Sequence, residues 1–547
     1  MKYFALSSLF AKILIVLFST SLADLEHTRE DFLQCLVTRL SPSTYNPQPI
    51  IYTPNNSPYY NVLNSSIQNH RFSSPFTPKP YVIVTPFTPT HVQNTVYCSE
   101  KHGMQIRTRS GGHDYEGLSY VSNVPFVVID LRNLSSISVE VESKYAWVQA
   151  GATLGELYYR IGEKTGNLGF PAGDCHTVGV GGQIGGGGYG YLTRKYGLAA
   201  DNILDAKVID AKGRVLDRKS MGEDLFWAIR GGGPSSFGVV LAWKLRLVPV
   251  PPTVTVFDVR RNMEDNATRK FVHQWQLRAN KVDDDLTIYI TFQSNSSIDK
   301  KGNKKIILEA AVRATYHGGI DKLLQLMQEE FPELGLLRQE CTEMRWVESF
   351  LYFNSFRNGE SLDALLSRTS YFNLSSFKAK SDYVKKPIPD DVLEGMLRRL
   401  LEEEVGQARI DVFPYGGKMD EFSESTIPFP HRIGNLYMIH YLVNWQEEGN
   451  LTASKKHITW VRRLYNYMTP YVSKNPRATY LNFRDLDIGM NENEDGPTST
   501  LDNIAKARIW GRKYFKNNFN KLIRVKTIVD PTNFFTYEQS IPPIVTH

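Results

Sequence analysis

The chain has 547 residues, enough for a large core and roughly two to four domains. Hydrophobic residues make up 41% and charged residues 22%, proportions that exclude a disordered or fibrous chain and fit a folded enzyme. The formal net charge of +6 is spread along the sequence without basic blocks, so neither nucleic acid nor a membrane surface is an expected partner.

In chain order, residues 1–26 (MKYFALSSLFAKILIVLFSTSLADLE) combine an early lysine, a short apolar run over 13–18 and a small-residue pattern ending at Ala23. That is the plan of a signal peptide over 1–23, and it predicts a secreted or vacuolar glycoprotein. No later apolar run approaches the roughly 20 residues of a membrane-spanning helix. Passage through the secretory route opens the sequons at Asn55, Asn64, Asn133, Asn266, Asn295, Asn373 and Asn450 to glycosylation and so predicts surface positions for them. The cysteines are Cys35, Cys98, Cys175 and Cys341. In an oxidising compartment Cys35 and Cys98 are one available pair, which spacing alone does not fix. Cys175 lies in a glycine-rich loop, and Cys341 is flanked by helix-like sequence. No CxxC or HExxH spacing occurs, so no metal site is expected.

Short β-branched runs bounded by turns predict strands at 80–86, 126–130, 146–149 and 206–210, and helical periodicity predicts helices over 89–102, 154–165 and 222–229. Their alternation predicts a first lobe over 24–252. Pro251 and Pro252 mark its end. Period-two runs follow at 253–259, 286–292, 306–312 and 436–445, with helical stretches at 319–330 and 390–404 between them. They predict a helix-covered sheet suited to holding a substrate, over 253–475. The segment 476–547 reads as a helix over 500–530 that ends in DPTNFFTYEQSIPP.

The block 173–202, GDCHTVGVGGQIGGGGYGYLTRKYGLAADN, is the strongest chemical signal. Its glycines allow positive φ and close approach of backbone N–H groups to phosphate oxygens. The spacing is neither a GxGxxG dinucleotide fingerprint nor a P-loop. A second cluster, SGGHDYEG at 110–117, sets His113 behind Gly111 and Gly112, and a third, RGGGPSSFG, lies at 230–238. His113 and Cys175 are both nucleophiles placed behind glycine turns, a pattern that suits tethering an electron-poor flavin ring.

SGGHDYEG, the cysteine-bearing glycine block, GEDLFWAIRGGG, YGGKMDEFSES, NFRDLDIG and DPTNFFTYEQSIPP together resemble the plant berberine-bridge-enzyme-like flavoproteins over almost the whole mature chain. YVKKPIP and IPFPHR bring it nearest in appearance to the cannabinoid-synthase branch and to related flavoprotein Diels–Alderases. The resemblance implies an α+β, two-lobed vanillyl-alcohol-oxidase-like (PCMH-type) fold, with FAD held by the first lobe and the C-terminal segment. It also implies a Cys35–Cys98 disulfide and bicovalent FAD through His113 and Cys175. Ser110, Gly111, Gly112, Thr177, Val178, Gly179, Gly181 and Gly182 would line the cofactor, with Tyr189 beside them. Valine at 178 implies access of O2 to the flavin.

Two departures from the family pattern bear on the reaction. The phenol of the related NYRDLDLG is replaced by Phe483, which neither accepts nor donates a proton. On LYMIHYLVNW, Met438 stands where relatives carry lysine or glutamate, and His440, two residues on, points the same way and offers a replacement base. His440, Tyr115 and Tyr441 are therefore the expected catalytic residues. The expected function is an FAD-dependent oxidase or oxidative cyclase of plant specialised metabolism acting on a prenylated phenolic or similar aromatic molecule, as a monomer, with O2 reduced to H2O2. The alternative is an FAD-containing Diels–Alderase that joins a diene and a chalcone-like dienophile without net redox change.

Overall fold

The structure, a computed structural model, describes residues 27–40, 50–298, 304–354, 356, 359–369, 375–402, 407–446, 451–491 and 500–544. The predicted signal peptide and the sequons at Asn373 and Asn450 lie outside them.

The first lobe holds two sheets that share one core. A four-stranded sheet takes β1 (Ile51–Tyr52), β2 (Val82–Val84), β3 (Gln105–Arg109) and β4 (Phe126–Asp130) in the order β1-β2-β4-β3, with β2, β3 and β4 parallel. The runs VIV and FVVID are buried throughout, as expected of strands covered on both faces. A five-stranded antiparallel sheet follows from β5 (Ile137–Glu140), β6 (Tyr145–Gln149), β8 (Ile203–Ile209), β9 (Val215–Leu216) and β10 (Val239–Arg246), while β7 (Leu168–Gly169) pairs with β11 (Val248–Pro249). Helices close over them where the sequence caps them. Thr88 accepts from the N–H of His91 ahead of Pro89–Lys101, and Thr153 with Glu156 forms a capping box on Leu154–Lys164. A disulfide joins Cys35 to Cys98 and so ties the N-terminal helix to Pro89–Lys101.

The second lobe is one seven-stranded antiparallel sheet. Its strands are β12 (Val254–Asn262), β13 (Leu286–Ile298), β14 (Lys304–Tyr316), β15 (Cys341–Met344), β16 (Ser376–Val384), β17 (Gln407–Pro414) and β18 (Tyr437–Trp445), in the order β15-β12-β14-β13-β17-β18-β16. Helices Asn266–Arg278, Ile320–Glu330, Asp390–Arg398 and Leu451–Met468 cover one face, where Tyr437, Ile439, Tyr441 and Val443 join an apolar core. The other face looks toward the first lobe: Met438, Tyr289 and Tyr383 share a core with residues such as Val127, Val148 and Ile184, and with Tyr480 and Trp510 of the C-terminal segment.

Several expectations change. The stretch read as one helix over 500–530 is two, Thr500–Phe515 and Asn518–Val529, broken where Lys516 takes a φ of 47°. Cys341 itself opens a strand, flanked by the 3-10 turns Arg338–Glu340 and Trp346–Glu348. The helix expected over 390–404 ends at Arg398 and passes into a 3-10 turn. Asn55, Asn64 and Asn266 are exposed, but Asn133 is half-buried, with its amide donating to the Thr85 carbonyl at 3.1 Å. Among the described residues no helix is long and apolar enough to cross a membrane, and no His, Cys, Asp and Glu cluster is placed to hold a metal.

Candidate active site

Two glycine loops interlock behind the site. A Cβ on Gly111 would stand 2.4 Å from the backbone nitrogen of Gly179, and a Cβ on Gly179 would stand 2.0 Å from Ser110 Oγ. Only glycine permits that approach, and Ser110 Oγ donates to the Ala150 carbonyl at 2.6 Å to hold it. The interlock brings the two nucleophiles to one hydroxyl: His113 Nε2 lies 3.0 Å and Cys175 Sγ 3.6 Å from Thr177 Oγ1. Burial pushes the His113 imidazole down to about 4 against the bond from Thr177, so it is neutral and nucleophilic at neutral pH. Burial also raises the Cys175 thiol. Val178 is half-buried beside them, and its carbonyl accepts from the Leu154 N–H at 2.8 Å. A Cβ on Gly181 would come 3.0 Å from the Ala150 carbonyl, whereas at Gly182 nothing lies within 4 Å and the loop opens. Backbone walls, an open edge and two convergent nucleophiles fit a flavin cofactor.

The loop carrying His113 is staked down around Tyr115. Asp114 accepts from the N–H groups of Glu116 and Leu118 at 3.0 and 3.1 Å and from Arg484 Nε at 2.8 Å. Glu116 pairs with Arg71 and Lys378 and accepts from the Leu486 N–H at 3.2 Å. Lys378 also donates to Asp485 at 2.7 Å, and Lys380 to Asp485 at 2.6 Å and Asp487 at 2.8 Å. One buried charge network therefore joins the SGGHDYEG loop, β16 and NFRDLDIG. Lys378 loses affinity for its proton through burial but regains more from Glu116 and Asp485, so it stays charged.

Between its two anchored neighbours Tyr115 projects into the site. Its ring stacks on Phe483 at 5.5 Å, meets Phe377 edge-on at 5.1 Å and lies 5.8 Å from the ring of His440. Burial holds the Tyr115 phenol well above its ordinary value, which makes it a donor rather than a base at neutral pH. His440 stacks on Phe483 at 4.2 Å, and its Nδ1 lies 3.0 Å from Asp411 Oδ2 on the adjacent strand. Its Nε2 is buried without a partner. Burial alone would raise Asp411, but Arg409, with the bonds from His440 and Thr291, outweighs it and holds the carboxyl far below the usual range. His440 is lowered by burial against the pull of Asp411, so it is neutral at neutral pH.

Tyr441 does not join this group. It follows His440 on a strand, so it points to the opposite face and packs in the second core, edge-on to Tyr465 at 6.2 Å. Tyr189 commits its hydroxyl to the Pro414 carbonyl and its ring to Tyr415, stacked at 5.6 Å, which joins the glycine block to β17. Further along, Tyr191 stacks on Tyr289 at 4.2 Å and on Phe353 at 4.6 Å, extending the aromatic wall. Asp411, Thr291, Arg409 and Lys378 are site residues that strand periodicity did not reveal. A lone carboxylate at the centre of RIDVFP, one strand from His440, is the signal that would have found the first.

Comparison with known proteins gives the family. Residues 80–218 match the FAD binding domain, and residues 479–542 match the model described as berberine and berberine like. A tetrahydroberberine oxidase of Berberis wilsoniae is 53% identical over 541 residues, 98% of each chain. Cannabidiolic acid synthase-like 1 of Cannabis sativa is 49% identical over 520 residues, 94% of each chain. Among solved structures, berberine bridge enzyme-like 28 of Arabidopsis thaliana has a TM-score of 0.86 at 50% identity, covering 94% of this chain and 100% of its own. A berberine bridge enzyme variant in complex with (S)-reticuline has a TM-score of 0.87 at 40% identity, covering 94% and 99%. The chain thus belongs to the berberine-bridge-enzyme-like family of FAD-linked oxidoreductases, with the vanillyl-alcohol-oxidase fold.

Proposed function

We propose that the protein is a secreted oxidase of a small aromatic molecule, such as a prenylated phenol, with FAD tethered through His113 and Cys175 and with His440 as the proton acceptor. The observation that carries this reading is His440 itself: Nδ1 held by Asp411, Nε2 buried and unpartnered, and the ring stacked in an aromatic wall with Tyr115 and Phe483. When bound, FAD supplies the acceptor for a hydride from the substrate carbon, and O2 takes up the electrons as H2O2. The residues of the chain do the rest. Tyr115, Phe377 and Phe483 offer faces and edges to a flat ring, and the neutral imidazole of His440 lies among them with Nε2 unpartnered. Tyr115 stays protonated and donates to a substrate oxygen. The half-buried Val178, one methylene smaller than leucine, leaves room for O2 beside the cofactor.

Anaerobic mixing with prenylated phenols and, in view of the named relative, with tetrahydroberberine tests the oxidase. Bleaching of the flavin absorbance is the expected result. Phe483 favours one second reading, because a cycloaddition needs no proton acceptor at that position. An unchanged flavin spectrum together with diene–chalcone adducts would establish that reading instead, and neither response across a broad phenolic panel would sink both.

The tethers have their own test. Denatured wild-type protein should retain yellow flavin, His113→Ala should retain one bond by mass spectrometry, and His113→Ala/Cys175→Ala should release all its flavin. Flavin still bound to the denatured double variant would rule the tethers out.

A further inference from the structure

The carboxylate behind His440 is held from three directions. Asp411 takes the Thr291 hydroxyl at 2.7 Å on Oδ1, and on Oδ2 it takes Arg409 Nε at 3.1 Å and faces His440 Nδ1 at 3.0 Å. These residues sit in register across adjacent strands, Thr291 opposite Asp411 and Asp411 opposite His440. We infer that Asp411 is the positioning residue of the site, fixing His440 as the Nδ1–H tautomer so that Nε2 keeps its lone pair free. The inference rests on the role proposed for His440 and adds what makes that imidazole a base.

The argument is one of donors and acceptors. Asp411 is ionised and acceptor-only, Arg409 and Thr291 already donate to it, and the nitrogen of His440 facing it must therefore be the one that bears hydrogen. That leaves Nε2 as the free acceptor. When Nε2 takes a proton, the ring becomes cationic beside a fixed negative charge, which stabilises the product of proton transfer. The charged and titratable groups facing His440 are Asp411 and Arg409 on β17 and Tyr115 on the SGGHDYEG loop. Ser381, opposite His440 on β16, is taken up with Thr479 at 2.6 Å, and Phe483 brings no charge.

Two variants separate orientation from charge. Asp411→Asn keeps an acceptor and removes the charge; Asp411→Leu removes both. In the intact flavoprotein carrying isotope-labelled histidine, the His440 signal is identified by its loss in His440→Gln and its tautomer read by heteronuclear NMR. Wild type should show the Nδ1–H form. Asp411→Asn should keep that form while its titration moves to lower pH by about one unit or more, since an opposite charge at this range is worth roughly that much. Asp411→Leu should lose the tautomer preference. An Nε2–H form in wild type, or an unmoved titration in Asp411→Asn, overturns the inference. If the leucine variant does not fold, the asparagine variant alone decides, because the volume it fills is nearly unchanged. The readout needs no substrate, so the two claims fail separately. The expected tautomer with undiminished oxidation by His440→Gln removes the proposed base and leaves the positioning intact; the reverse outcome does the opposite.

Discussion

Replacing His440 with glutamine is expected to lower kcat for the oxidised aromatic substrate by about 10²–10⁴-fold, the usual contribution of a general base. Glutamine keeps a planar end near Phe483 and a donor toward Asp411, so the pocket stays filled while the proton acceptor goes. The pH profile adds a second mark. Burial holds the His440 pKa below the ordinary imidazole value, so the wild-type rate should sit on its plateau at neutral pH and fall only as the pH drops below about 6.5 and the ring takes up a proton. In His440→Gln that acid limb should vanish. Steady-state H2O2 production between pH 4 and 8 reads both effects; a kcat within a few-fold of wild type, or an unchanged limb, would count against His440.

Removing Lys378 should produce the largest loss of stability. Lys378→Met keeps the stem of the side chain but leaves Glu116 and Asp485 without their shared cation in a region where Lys378 is 3% exposed and the two carboxylates 5% and 2%. Breaking a buried ionic arrangement by deleting one partner costs about 3–5 kcal/mol. Denaturant unfolding monitored by tryptophan fluorescence should show that loss, with flavin content falling in parallel because Glu116 lies on the His113 loop and ties it to Lys378. A loss below about 1 kcal/mol would show that Lys380 and Arg71 suffice. The acid side follows from Asp487, held far below the usual carboxylate range by Arg462 and the two lysines against its burial. A carboxyl depressed on folding stabilises the protein above its unfolded value near 4 and loses that contribution as the pH falls through its folded value. The wild type should therefore lose stability steeply below about pH 4. Lys378→Met, with fewer cations near Asp487, should lose less over the same range.

How much of this was legible in the sequence depended on what each residue answers to. Local rules fixed the first lobe well. VIV and FVVID are strands because they are buried on both faces, and Thr88 and Thr153 cap their helices as their position predicts. His113 and Cys175 stood out because glycine clusters announce close backbone approach, which the Gly111–Gly179 contact displays. The second lobe was harder where charged residues fill one face of a strand. SFKAKSDYV and QARIDVFP both alternate, Phe377, Ala379 and Tyr383 against Lys378, Lys380 and Asp382, and Ala408, Ile410 and Val412 against Arg409 and Asp411, but they carry too little apolar residue to stand out; they are β16 and β17, and the polar positions of the alternation are those that serve the network and His440. Tyr441 was misplaced for the opposite reason. A phenol beside a candidate base looks functional in a list of residues, but strand alternation turns it to the far face. The break between the last two helices escaped notice because Lys516 and Asn517 carry none of the glycine or proline that usually marks one.

The ion pair between Asp114 and Arg484 spans 370 positions of the chain. A ribosome adding about 5–20 residues each second needs roughly 20–70 s to travel that distance. For all of that time the emerging polypeptide holds the SGGHDYEG loop without its bonds to NFRDLDIG. Glu116 likewise waits for Lys378 and for the backbone of Leu486, and the first core waits for Trp510 and Phe535. The loop around His113 therefore gains its full set of restraints only once Arg484 and Leu486 have been made.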